Sequence, residues 1–296
     1  MFEFTKNNHF KFGYKESGWF QNRTTPNETF ICEYGRADSV MTFRDANIYA
    51  ANYIEQIATD NISIMLSGGA DSEITAWVFI DAGIPFRAAV MRFKNDSNKH
   101  DIDYAVSFCN KHNIPIDFYD LDVTAYLAST EFEDTVRKYQ TTCERATSLW
   151  LAKQIPNFAI LGQGEPVVVK YLGEWCFQEK ERICSWNKYW IFNNKPGIPG
   201  FHQFSPEQIL SCLTDELTLD MIHDKTPYWS NDKFKHEFYK KHYPDFEIRQ
   251  KYTGFEKLAS VNIPMRERIL STFPYFIGEW QIPYNDAINT FSPDGV

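Results

Sequence analysis

Between residues 62 and 161 the chain alternates short apolar runs with amphipathic stretches, and this pattern restricts the fold more than any other feature. The apolar run 62–66 is followed by Ser-Gly-Gly. Residues 71–82 read as a helix with Ile74, Trp77, Val78 and Phe79 inward, and 86–93 as a strand after the break at Gly83 and Pro85. Residues 101–112 read as a second helix, with Ile102, Ala105, Val106 and Phe108 on one face, and 114–121 as a third strand. A helix at 143–154 leads into a fourth apolar run at 158–161. Parallel neighbours need long crossovers, which helices supply, so the order strand–helix–strand predicts an α/β doubly wound parallel sheet. Ligands on such sheets bind beyond the carboxyl ends of the strands.

The flanks differ. Residues 1–35 mix aromatic and β-branched residues with Gly, Asn and Pro, and predict an N-terminal β-rich cap. Residues 43–58 predict a helix on the spacing of Ile48, Tyr49, Tyr53, Ile54 and Ile57. After Pro166 the runs 167–169, 175–177 and 183–192 read as β-hairpin material, with Glu179-Lys180-Glu181-Arg182 near a turn and 193–200 as a loop. Ser205-Pro206-Glu207-Gln208 opens a helix with a good N-cap and Pro at its first position, and the rest to about residue 272 reads as mainly helical. The expected division is a cap and helix at 1–60, a nucleotide-loop domain at 61–170 and a substrate-determining region at 171–296.

Composition excludes several classes. No apolar run approaches the roughly 18 residues of a membrane span, and residues 1–8 lack the charged-then-apolar order of a signal peptide, so a cytoplasmic protein without a membrane partner is expected. The net charge of −9 disfavours a general nucleic-acid binder, though not an enzyme meeting RNA through one local basic patch. Cys32, Cys109, Cys143, Cys176, Cys184 and Cys212 form no C-x-x-C pair, and the seven histidines form no H-E-x-x-H, so a metal on nitrogen or sulfur ligands is not indicated.

The chemistry is concentrated in Leu66-Ser67-Gly68-Gly69-Ala70-Asp71-Ser72, between a predicted strand and a predicted helix. Five fixed positions at about 7% background usage recur by chance on the order of once per million windows. Two glycines let the backbone turn tightly and approach a ligand. Their N–H groups, the hydroxyls of Ser67 and Ser72 and the helix N-terminus suit phosphate oxygens. Asp71 would repel a phosphate directly and makes sense as a ligand of Mg²⁺. No G-x-x-x-x-G-K-[ST] occurs, so this is not a γ-phosphate P-loop.

Residues 67–72 resemble the PP-loop of the N-type ATP pyrophosphatases, the superfamily with the adenine nucleotide alpha hydrolase-like fold. The resemblance covers roughly residues 60–170 and implies cleavage of ATP to AMP and pyrophosphate, with ATP and Mg²⁺ as cofactors. The synthetase domain of asparagine synthetase is the most similar member. It has counterparts to His100-Asp101-Ile102-Asp103-Tyr104-Ala105 and to Ile116-Asp117-Phe118-Tyr119. Its Gly-Glu-Gly-x-Asp-Glu loop corresponds to Gly162-Gln163-Gly164-Glu165-Pro166, where Gln163 replaces the first acid and Glu165 is left as the second metal-binding candidate. That family's glutaminase domain begins with a cysteine after the initiator Met. Here position 2 is Phe2 and only residues 1–66 precede the loop, so the amine is expected from ammonia, an amino substrate or a separate amidotransferase.

The resemblance further implies adenine held by the backbone at Met91-Arg92-Phe93, and a charge-neutralising lysine, with Lys170 and Lys180 as candidates. The expected substrates are a small carboxylate and an amine donor, and a homo-oligomer is compatible with them. Two further readings stand beside the ligase. One is tRNA thiolation with Cys143 as sulfur carrier at a helix start. The other is a nucleotide-binding module without turnover. The aromatic run Trp175, Phe177, Trp186, Tyr189, Trp190 reads as a small core or a stacking surface. Arg249, Lys251, Lys257, Arg266 and Arg268 read as a solvated face or a substrate contact.

Overall fold

The computed structural model describes residues 9–225, 231–272 and 278–293. The expectations that rest on residues 1–8, Phe2 included, and on 226–230 lie outside them. Strands β1 (Phe10–Tyr14), β2 (Gly18–Trp19) and β3 (Phe30–Tyr34) form an antiparallel cap in the order β2-β1-β3. Helix α1 (Phe43–Ile57) follows, capped by the Thr42 side chain. Then come β4 (Ile62–Met65), α2 (Ala70–Asp81), β5 (Arg87–Phe93), α3 (Lys99–His112) and β6 (Ile116–Leu121). Two helices the sequence reading leaves out, α4 (Val123–Leu127) and α5 (Thr130–Tyr139), lead to α6 (Cys143–Gln154) and β7 (Phe158–Leu161).

Strands β8 (Val167–Tyr171) and β9 (Glu174–Lys180) make the expected hairpin, but it turns at Leu172-Gly173, not at 179–182. The stretch 183–192, expected as β, is helix α7 (Cys184–Asn193). Its residues are buried from Cys184 through Ile191, so all faces are occupied and no helical period survives in the sequence. The expected loop at 193–200 contains β10 (Gly197–Ile198). The chain ends its described course with α8 (Pro206–Leu213), α9 (Glu216–Ile222), α10 (Asn231–His242), α11 (Ala259–Thr272), β11 (Glu279–Pro283) and α12 (Tyr284–Phe291).

The central sheet is parallel throughout, in the order β10-β7-β4-β5-β6. Period-two alternation sends Ile62, Ile64, Phe158 and Ile160 to the face covered by α1 and α2. Met65, Ala159 and Leu161 face the side covered by α6 and α7. The fold is therefore the doubly wound α/β architecture. In α1 the buried face is Phe43, Ala46, Asn47, Ala50, Ala51 and Ile54, while Tyr49 is exposed. Of the large residues picked by periodicity, Ile54 is buried and Tyr53 and Ile57 pack against the core; the small Ala46, Ala50 and Ala51 let α1 lie close on α2 and α8.

A second core joins the cap to the later chain. Phe10, Phe12, Tyr14 and Phe30 pack with Phe177, Leu210, Tyr284 and Phe291. Beside it Arg23 and Glu181 form a buried ion pair, with Arg23 Nε donating to Glu181 Oε1 (3.0 Å) and Nη2 to Oε2 (2.8 Å). Tyr14 also donates to Glu181 Oε1, at 2.6 Å. Helix α8 opens with a capping box: Ser205 Oγ accepts from the Gln208 N–H, and Gln208 Oε1 accepts from the Ser205 N–H. Ser205→Ala should cost about 1 kcal/mol, read as a lower urea midpoint at unchanged m-value; an unchanged midpoint would refute the cap's contribution. No helix among the described residues is long and apolar enough to cross a membrane.

Candidate active site

In the sheet order, β4 is flanked by β5 on one side and β7 on the other: the chain steps outward from β4 to β5 and β6, then crosses back to β7 and on to β10, so the strand order reverses at β4. Crevices of this kind lie at the carboxyl ends of the strands, where the order reverses. The loop after β4 and the loop after β7 both face this crevice, which opens into a cavity of about 500 Å³. Leu66, Ser67, Ser72, Met91, Gly162 and Gln163 of the expected nucleotide-binding set line it.

The loop at 67–72 is held by its own polar groups. Ser72 Oγ donates to the Gly69 carbonyl (3.0 Å) and accepts from the Ser67 N–H (3.2 Å). Ser67 Oγ accepts from the Gly69 N–H (3.2 Å) and lies 3.1 Å from Ser72 Oγ. Gly68 has φ +81°, and a Cβ there would run into the Asp101 backbone, so the turn requires glycine. Gly162 presses as closely on the start of α2: a Cβ would stand 2.6 Å from Thr75 Oγ1 and 2.8 Å from Ser72 Cα. The N-terminus of α2 carries no side-chain cap, so its first N–H groups and its positive dipole end are available to an anion. Lys251 lines the same cavity, its ammonium 3.5 Å from where a Gly69 Cβ would be. Arg249 braces the loop by donating to the Gly68 carbonyl (3.0 Å) and pairing with Glu73.

Asp71 is turned away from solvent. Tyr239 donates to its Oδ1 (2.8 Å) and Lys235 to its Oδ2 (3.0 Å). Burial alone would raise the Asp71 pKa, but the Lys235 ammonium, with His202 and Lys251 nearby, holds it below the usual carboxylate range. Lys235 also reaches Glu165 Oε1 at 3.2 Å. Burial opposes its charge, yet Asp71 and Glu165 raise its pKa above the ordinary lysine value. His202 is fully enclosed and burial lowers its pKa; its Nε2 lies 3.0 Å from the Asp71 carbonyl.

The two residues expected to hold Mg²⁺, Asp71 and Glu165, thus do converge, but on an ammonium. Both Asp71 oxygens are engaged, and no group of three His, Cys, Asp or Glu among the described residues is placed to hold a metal. This donor set does not fit a protein-held Mg²⁺, which wants several oxygens in an octahedron. Lys235, Tyr239 and His202 are site residues that sequence reasoning missed; Lys235 lies 164 positions from Asp71 in a lysine-rich helix, and no local pattern distinguishes it.

Other expected residues lie elsewhere. Lys170 is exposed on β8, 3.5 Å from Asp224, and does not line the cavity. Lys180 lines a second cavity described below. Arg92 is exposed, paired with Asp120 (2.7 and 2.9 Å) and stacked on Phe118. The Met91 carbonyl and the Phe93 N–H, expected at adenine, both bind the Asn98 side chain. Gly164 has φ +91° and packs on Gln203. Ala70 is the first residue of α2.

The five aromatics from Trp175 to Trp190 are all buried, as core; Trp186 also forms part of the cavity wall. Of the basic set, Arg249, Lys251 and Arg266 are at the cavity or its loop, whereas Lys257 stacks on Tyr252 and Arg268 pairs with Glu133. All six cysteines are buried and unpaired. Burial pushes the Cys143 thiol up to about 12, the opposite of an activated sulfur carrier.

No protein-family model and no curated protein sequence matches the chain. Among solved structures it is similar to the NMN synthetase of Francisella tularensis, at 13% identity and TM-score 0.35, over 77% of this chain and 96% of that one. It is similar to the NH3-dependent NAD synthetase of Campylobacter jejuni in complex with the nitrate ion, at 13% identity and TM-score 0.35, over 79% and 96%. A third likeness is to the glutamine-dependent NAD+ synthetase of Acinetobacter baumannii in complex with ADP, at 15% identity and TM-score 0.30; it spans 47% of this chain and only 31% of that one.

Proposed function

We propose that this chain is an ATP-dependent adenylating ligase of the PP-loop kind, asparagine synthetase-like in its chemistry. It would activate a carboxylate with ATP, release pyrophosphate and transfer the acyl group to an amine. One observation carries the reading: the Ser-Gly-Gly-Ala-Asp-Ser loop sits at the uncapped N-terminus of α2, in the crevice where the sheet order reverses, and opens on a cavity of nucleotide size. A carboxylate oxygen attacks the α-phosphorus of ATP, which enters with its own Mg²⁺. The bond from that phosphorus to the bridging oxygen breaks, and pyrophosphate leaves with the electron pair. The α2 N–H groups, Ser67, Ser72 and Lys251 face the departing charge. The amine then attacks the acyl carbon, AMP leaves, and the amine proton passes to solvent. Asp71 acts by fixing the Lys235 ammonium beside the loop. Positioning and fixed charge supply most of the acceleration in such reactions.

The test follows α-labelled ATP with Mg²⁺, ammonia and a panel of small carboxylates, with Asp71→Ala alongside. AMP and pyrophosphate are expected, falling about 100-fold or more in the variant, the scale of losing one preorganised electrostatic contact. ADP as the product would overturn the reading. Binding without turnover is the second reading, favoured by Gln163 at the family's first acidic position and by the ammonium between Asp71 and Glu165. Tight ATP binding with no AMP under every substrate would support it.

A further inference from the structure

A second cavity, of about 310 Å³, lies behind the first, and Arg145 and Arg182 line both. Its volume is at the lower end of small-molecule sites, roughly 300–1,000 Å³. One part of its wall is apolar and partly aromatic, from Phe43, Val167, Val168, Phe234 and Phe238, and another is polar, from Glu165, Lys180, His202 and Lys235. The shared junction carries two guanidinium groups, with Glu144 on the wall of the first cavity and Glu165 on the wall of the second. The Arg145 guanidinium lies over the Trp186 ring at 5.0 Å and donates to Thr142 Oγ1 at 3.3 Å; its buried Nε has no partner. Neither Arg145 nor Arg182 forms an ion pair among the described residues, and Glu165, the acid lining this cavity, is already held by Lys235. Arg182 is exposed, but Arg145 is half-buried with its Nε enclosed, and enclosed charges in folded proteins are almost always paired. Burial, then the neighbouring Arg182, lowers the Arg145 pKa to about 10, and Glu144 and Glu165 oppose this only in part.

We propose that the second cavity is the acceptor pocket and takes a carboxylate with a flat apolar body, its carboxylate resting between Arg145 and Arg182 where the two cavities meet. This rests on the ligase reading, because that junction is where an attacking carboxylate must approach a nucleotide held in the first cavity. The Phe and Val walls suit the apolar body, and Lys180 and Lys235 line the same cavity.

Benzoate is the probe, with benzamide as its uncharged control, followed by saturation-transfer NMR in the presence of a non-hydrolysable ATP analogue. Nucleotide affinity is measured separately with a fluorescent ATP derivative. Benzoate should bind and benzamide should bind about tenfold more weakly or not at all, since charged hydrogen bonds contribute about 1.5–3 kcal/mol. Arg182→Met, at an exposed residue that cannot threaten the core, should weaken benzoate about tenfold. Val167→Trp should abolish it by filling the pocket, with nucleotide affinity within about threefold of wild type. Equal binding of the amide, no benzoate binding while nucleotide binds, or benzoate binding untouched by both variants would overturn the pocket and leave the ligase reading standing. Benzoate binding that both variants weaken, in a protein that binds no nucleotide, would uphold the pocket and remove the ligase reading.

Discussion

Lys235→Met will lower the stability of the fold by about 3–5 kcal/mol at pH 7, the range for removing one member of a buried ion pair. The variant keeps most of the apolar stem, so the loss reports the ammonium rather than packing. Asp71, with 7% of its side chain exposed, would be left charged with Tyr239 as its remaining side-chain donor. The pH dependence has a definite sign. The Asp71 pKa is held down in the fold, so its contribution is complete above the ordinary carboxylate value of about 3.9 and is lost as pH falls through the depressed value. The Lys235 pKa is raised, so its contribution is complete below the ordinary lysine value of about 10.4 and is lost as pH climbs through the raised one. The gap between wild type and variant should therefore be flat from roughly pH 5 to 9 and narrow in acid. Urea unfolding at pH 7 and at acid pH measures it. A gap under about 1 kcal/mol at pH 7 would mean that the pair behaves like a solvated surface bridge. Adding Asp71→Asn to the variant should recover part of the loss.

Gly68→Val will reduce ATP affinity about 100-fold or more. At φ +81° a β-branched residue costs on the order of 1–2 kcal/mol in backbone strain alone. Its Cβ would also overlap the Asp101 carbonyl, which is backbone inside α3 and cannot swing aside. The loop must therefore open, which breaks the Arg249 contact to the Gly68 carbonyl and moves Ser67 relative to Ser72. Gly69 makes the informative contrast. Its φ is −81° and a Cβ there would meet Ser67 Oγ at 3.3 Å, so Gly69→Ala should leave the fold's melting temperature close to wild type. Titration with a fluorescent ATP derivative, beside thermal melts, separates the two. Undiminished affinity in Gly68→Val would show that the loop does not cradle the nucleotide.

What could be read from the sequence is local. Helix α6 and strand β7 fall where periodicity predicts, because each is long or apolar enough to impose its own pattern and is bounded by turn residues. Residues 67–72 could be read because a strand, a tight turn and a helix start must be adjacent in sequence. Helix α7 could not, because burial on every side erases the period that marks a helix. Part of the buried face of α1 was hidden for a related reason: Ile54 could be read, but Ala46, Ala50 and Ala51 count little in a hydrophobic pattern yet set how closely the helix packs. The electrostatic half of the site was only partly in reach. Lys235 and Tyr239 meet the loop across more than 160 residues with nothing in their neighbourhoods to announce it, whereas Arg249 and Lys251 stand in a basic set that could be read as a solvated face or a substrate contact.

The second core also governs the order in which the molecule can be made. Strands β1 and β3 bury Phe12, Tyr14 and Tyr34 against partners that include Phe291 and Tyr284, and the Ala37 N–H donates to the Phe291 carbonyl at 2.9 Å. During synthesis these strands leave the ribosome some 250 residues before the elements that cover them. At roughly 5–20 residues per second, an aromatic-rich sheet with open edges waits for many seconds. The parallel sheet, whose strands lie close in sequence, can form in that interval, but the cap cannot be sealed. Nascent chains stalled before residue 279 should therefore be the aggregation-prone species, and a chaperone that shields the first thirty-odd residues should raise the yield of folded protein.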